Sequence, residues 1–146
     1  MADTKQGFER ILVATDGSKG AMRACEVAAL IAKTGQSSVV LLHVLPTISA
    51  LDAPPSGAYY SQLERKANEM LDEAASRFET QGVKVEKDIL QGRASIVQSI
   101  VEFAESADIS LIVMGTRGLG GFKKLTLGSV SSGVVSHAHC SVLVAR

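Results

Sequence analysis

An α/β fold, with a five-stranded parallel sheet and helices on both faces, is predicted by three features of this chain. Short runs are apolar at nearly every position. The stretches between them carry apolar residues at helical spacing, and the two kinds alternate strictly along 146 residues. Such alternation implies right-handed crossovers between parallel strands. A chain of this length with 46% hydrophobic residues can fill one core, so a single domain over residues 1–146 is expected.

The first strand is Ile11 to Ala14, an apolar run that breaks into Thr15-Asp16-Gly17-Ser18. Ser18 is a good helix cap, and Ala21, Cys25, Ala28 and Ala32 then form one stripe to Lys33, with Gly35 expected as the stop. VVLLHV from Val39 is the second strand, ending near Pro46. Residues 46–58 hold all three prolines and are expected to be a connecting loop. Leu63, Ala67, Met70, Ala74 and Phe78 predict a long amphipathic helix closed by Gly82. VKVEKDIL then alternates apolar with polar, as a strand at a sheet edge does. Beyond Gly92 a helix presents Val97, Ile100, Val101 and Ala104 on one face, and ISLIVMG forms the fourth strand. A last helix from about Ser129 to Ala138 precedes the fifth strand, SVLVAR.

Composition narrows the function classes. Fifteen basic residues balance fifteen acidic ones, which argues against a nucleic-acid or anionic-membrane partner. Two cysteines and an N-terminus without the layout of a secretory signal point to the reducing cytoplasm. The apolar runs are far shorter than the roughly 20 residues of a membrane helix, so a protein in solution is expected.

In open parallel sheets a ligand binds beyond the carboxyl ends of the strands, where the strand order reverses. Two polar breaks fall at such ends: Thr15-Asp16-Gly17-Ser18, and Gly115-Thr116-Arg117-Gly118. Glycine allows close approach of backbone amides to phosphate, and the amides opening a helix near Ser129 attract an anion. The segment from Gly115 to Ser129 reads G-x-x-G, nine residues, then G-S, which is neither a Walker loop nor G-x-G-x-x-G.

A strand ending in TDGS, the VLLHV strand, GTRG after the fourth strand and GSV opening the last helix together resemble the universal stress protein family over essentially the whole chain. The resemblance implies an adenine nucleotide alpha hydrolase-like (Rossmann-like) sheet of strand order 3-2-1-4-5. It also implies membership of the ATP-binding branch, which carries the G-x-x-G, nine-residue, G-[ST] spacing. Carried onto this chain, Asp16 serves the adenosine end with the backbone of Ala14 and Thr15, and Val44 flanks the adenine. Met114 and Gly115 lie under the ribose and first phosphate, and Gly118, Gly128, Ser129 and Val130 cradle the phosphates. The implied ligand is ATP, with AMP or ADP as alternatives, and Mg2+ held through the phosphates. The chain departs from the family's common pattern at Ala14 and at Cys140-Ser141, where proline is frequent, and neither position supplies a phosphate contact.

Other residues have plainer roles. Asp16 also suits a turn, His43 a core histidine, and Cys25 inert packing. His137, His139 and Cys140 lie too close together at a helix end to converge on a metal. Arg117, Lys123 and Lys124 form either a solvated loop or a counter-charge for a triphosphate. The function expected is therefore a stress-response regulator controlled by its nucleotide and acting on an unidentified protein partner. The alternatives are a slow ATP-hydrolysing or phosphoryl-transfer enzyme, a flavodoxin-like carrier and a nucleotide-free dimerisation module. Dedicated catalysis is not expected, since residues 115–129 contain no Asp, Glu or His. The apolar last strand, expected at a sheet edge, predicts a homodimer.

Overall fold

The computed structural model describes residues 7–46, 57–92, 95–116 and 127–146. Its elements run β1 (Arg10–Ala14), α1 (Lys19–Gly35), β2 (Ser38–Leu45), α2 (Gly57–Glu79), β3 (Val85–Gln91), α3 (Ile96–Ser106), β4 (Leu111–Gly115), α4 (Ser129–His137) and β5 (Ser141–Ala145). All four strand pairings are parallel, in the order β3-β2-β1-β4-β5, as expected.

Strand alternation divides the apolar residues between two cores. Ile11, Val13, Val39, Leu41, Leu111 and Val113 face α1 and α2, where they meet Ala24, Cys25, Ala28, Leu71, Ala74 and Phe78. Leu12, Val40, Leu42, Val44, Ile112 and Met114 face the other way, onto Ile100, Ala104 and Val134 of α3 and α4. With both faces covered, β1 and β4 need apolar residues at successive positions, which is why the alternation fails there. At the β3 edge the exposed Glu86, Lys87 and Asp88 restore a polar character.

Local expectations are corrected in three helices. Helix α1 runs through Gly35, and the residue in the left-handed region is Gln36, with φ of 54°. Its N–H reaches back to the Ala32 carbonyl, so the stop lies one residue beyond the glycine. Helix α2 begins at Gly57, inside the segment expected to be loop, and residues 47–56 lie outside those described. Its buried face is Ala67, Leu71, Ala74, Ala75 and Phe78, while Leu63 and Met70 are only partly covered. The stripe is rotated because α2 packs on both the sheet and α1. In α3 likewise, Ile100 and Ala104 are buried and Val97 and Val101 half-buried.

Candidate functional site

The strand order reverses between β1 and β4, and the polar breaks at their carboxyl ends share one rim. Their pairing sets Val13 beside Val113, so Ala14 and Met114 end the apolar part of the two strands together. Ala14, Val44, Met114 and Val130 belong to one apolar cluster on the α3/α4 face. Four of the ten expected site residues thus belong to one apolar layer under the rim, in which Val44 and Met114 are buried and Ala14 and Val130 partly exposed.

The turn after β1 is held by its own hydrogen bonds. Thr15 N–H donates to the Leu42 carbonyl at 2.9 Å, and Thr15 Oγ1 accepts from Gly17 N–H at 3.3 Å. Asp16 Oδ1 accepts the Ser18 N–H at 2.9 Å, and Ser18 Oγ accepts the Ala21 N–H to cap α1. Asp16 is therefore a turn-forming residue that also brings a partly exposed carboxylate to the rim. The amide of Thr15 is engaged by Leu42, and its carbonyl already accepts one hydrogen bond from β2. Gly17 requires its glycine, having φ of 81° and Met70 of α2 directly over its α-carbon.

The second half of the rim joins β4 to α4. The Thr116 carbonyl accepts both the Gly128 N–H, at 2.6 Å, and the Ser131 hydroxyl, at 2.8 Å. Helix α4 consequently begins at the exit of β4. Its N-cap is Gly128, with no side-chain cap bond, whereas Ser18 and Ser95 cap α1 and α3. Gly128 has φ of −64°, so the backbone does not demand glycine there. Glycine instead leaves the amides of the first turn without a side chain across them, an arrangement suited to an anion.

Gly115 has a packing role besides the one its place in the motif suggests: its α-carbon lies against the backbone of Gly20 in α1. Gly20, Met70, Thr116 and Ser131 also shape the rim, although none of them is among the expected site residues. Ser131 is buried, and its hydroxyl bonds the Thr116 and Gly128 carbonyls. Gly118, with Arg117, Gly120, Gly121, Lys123 and Lys124, lies outside the described residues.

His43 is half-buried, and its Nδ1 hydrogen-bonds the Thr15 carbonyl at 2.8 Å. Cys25 is fully buried in the α1/α2 core. Burial pushes its thiol up to about 11, against the opposing pull of Arg77. The Cys140 thiol is also raised, again chiefly by burial. His137 Nδ1 bonds the Gly133 carbonyl of its own helix at 2.9 Å. Among the described residues no three His, Cys, Asp or Glu side chains are grouped to hold a metal, and no helix is long and apolar enough to cross a membrane.

Comparison with known proteins finds a family and shared folds. The family model described as the universal stress protein family matches residues 7–146. A universal stress protein of Methanocaldococcus jannaschii is 34% identical over 142 residues, covering 95% of this chain and 82% of its own. The solved structure of the universal stress protein from Archaeoglobus fulgidus in complex with dAMP superposes with a TM-score of 0.75 at 26% identity, covering 97% of this chain and 100% of its own. A universal stress protein solved in complex with cAMP gives 0.70 at 25% identity, covering 97% and 98%.

Proposed function

Because the chain belongs to the universal stress protein family, we propose that it binds an adenine nucleotide in the β1/β4 crevice, with ATP as the ligand, and acts as a stress-response regulator. The observation that carries this reading is the tether between β4 and α4. The Thr116 carbonyl holds the glycine-capped start of α4 at the point where the strand order reverses, beside the apolar layer of Ala14, Val44, Met114 and Val130. That pairing of an apolar floor with amide donors suits a base at one end and a phosphate at the other. Asp16 serves the adenosine end, and Gly128, Ser129 and Val130 serve the phosphates.

The reading is of a binding module rather than a dedicated catalyst. Phosphoryl transfer needs a carboxylate to hold metal and a group to orient the attacking water. Asp16 is the carboxylate at the rim, and one of its oxygens is bonded to the turn. The regulator works in the cytoplasm as a homodimer joined through β5, in which the sheet edges differ in kind. The β3 edge exposes charges, while β5 carries Val142, Leu143 and Val144, each half-buried. An apolar edge of this kind is covered by pairing with a second copy about a two-fold axis.

The test is to denature the purified protein, identify any released nucleotide by mass spectrometry, and titrate the emptied protein with ATP, ADP and AMP. The Gly128→Asp variant serves as control. Its carboxylate caps α4 and occupies the space proposed for phosphate, so the helix should be retained while affinity falls at least tenfold. A Gly128→Asp variant that binds as tightly as the parent would contradict the phosphate assignment.

A further inference from the structure

His43 stands in the middle of a strand otherwise apolar from Val39 to Leu45, and its bond to Thr15 falls at the rim of the crevice. A carbonyl oxygen has no proton to give, so Nδ1 must carry the hydrogen and donate it. The location of this bond is particular. The β1/β2 register pairs Ala14 with Leu42, and the ladder continues one step further through Thr15 N–H to the Leu42 carbonyl. At the next rung of the parallel ladder the imidazole takes the Thr15 carbonyl. Thr15 is thereby gripped by β2 on both sides of its residue, through its amide and its carbonyl, and is 5% exposed.

From Thr15 the bonds run outward into the binding turn. Its Oγ1 takes the Gly17 amide, Asp16 takes the Ser18 amide, and Ser18 caps α1. The peptide whose oxygen His43 holds is the one that leads into Asp16. Rotation of that peptide would swing the Asp16 side chain and the Gly17 backbone, whose φ of 81° already restricts it. We propose that His43 is a positioning residue for the nucleotide site, fixing the Thr15–Asp16 peptide so that the Asp16 carboxylate meets the adenosine end of the ligand. This inference rests on the adenine-nucleotide reading above. It goes beyond the role of a core histidine with a satisfied bond, because it makes ligand affinity depend on the N–H at Nδ1.

The experiment compares wild type, His43→Leu, His43→Asn and His43→Asp by calorimetric titration with AMP. It also follows hydrogen exchange of the Gly17 and Ser18 amides in the nucleotide-free proteins. Asn places an N–H on the same atom of the side chain as His Nδ1, while Asp has the same shape and, when ionised, no donor. His43→Leu and His43→Asp are expected to bind AMP roughly tenfold more weakly, the loss of one hydrogen bond in the geometry of the site. Their Gly17 and Ser18 amides should exchange faster. His43→Asn should recover affinity to within about threefold of wild type and restore slow exchange. Affinity and exchange in His43→Leu equal to wild type would overturn the proposal, as would Asn and Asp variants that bind alike. If His43→Leu fails to fold, the Asn and Asp pair decides the matter. A wild type that binds neither AMP nor ATP would sink the nucleotide reading instead, and the exchange measurement would still test the hold of His43 on the turn.

Discussion

A methyl group at the α-carbon of Gly115 would lie 2.7 Å from the carbonyl carbon of Gly20 and 2.8 Å from its oxygen. The end of β4 and the first turn of α1 therefore touch backbone to backbone, which couples the two halves of the crevice. Neither group can rotate away, so Gly115→Ala must push α1 from the sheet. The expected cost is about 1–3 kcal/mol, as for other overpacked sites. Chemical denaturation of the variant measures it, and unchanged stability would show that the contact is not rigid.

Asp16 has two duties that substitution can separate. Asp16→Asn keeps an oxygen for the Ser18 amide and loses the charge, whereas Asp16→Ala loses both. A carboxylate bonded to a nucleoside hydroxyl contributes about 1.5–3 kcal/mol, so Asp16→Asn should weaken AMP binding within that range while melting close to wild type. Asp16→Ala should weaken binding at least as much and also lower the melting temperature. Calorimetry and thermal denaturation check the pair, and an Asp16→Asn variant of unaltered affinity would remove Asp16 from the site.

The apolar edge at β5 predicts a dimer that charge can dissociate. Light scattering across a concentration series should give twice the chain mass for wild type and a monomer for Val144→Lys. Leu143→Lys is the harsher variant, because Leu143 also packs against the α1/α2 core. A wild type that stays monomeric at tens of micromolar, or a Val144→Lys dimer, would rule out this edge.

Cys25 gives the protein a specific alkaline dependence. Its thiol ionises at about 11 in the folded chain against 9.0 as the ordinary value. Between those two values the unfolded chain has lost the proton that the folded chain retains, so stability is complete below pH 9 and falls as pH rises toward 11. The slope reaches about 1.4 kcal/mol per pH unit. Cys25→Ala removes that slope, at the cost of a small cavity felt equally at every pH. Stability curves at pH 8, 9 and 10 for the two proteins should therefore converge, and parallel curves would contradict the burial of the thiol.

The sheet was legible because burial on both faces writes itself into the sequence as apolar runs, seen at Ile11 to Ala14 and Leu111 to Met114. The charged positions of VKVEKDIL likewise marked β3 as an edge. The two polar breaks were legible for the same reason, since each ends a run abruptly. Contacts between distant segments were not. Gly115 looked like a phosphate glycine and is also the point where β4 touches Gly20, a fact that depends on how closely α1 approaches the sheet. Met70 looked like core; it packs at the margin of the α1/α2 core and also overlies Gly17, because α2 is rotated toward Leu71 and Ala75. The bond from His43 to Thr15 links residues 28 apart in sequence, and no spacing rule connects them.

The most direct test of the central claim is an amide-resolved NMR titration of the nucleotide-free protein with AMP. If the β1/β4 crevice holds the nucleotide, the amides of Asp16, Gly17, Gly115, Ser129 and Val130 should shift together and saturate with a single dissociation constant, while Glu86 to Asp88 on β3 stay still. Unmoved crevice amides at about 1 mM AMP, a concentration at which only about 4 kcal/mol of binding free energy is needed for half occupancy, would contradict the account, as would shifts confined to another face.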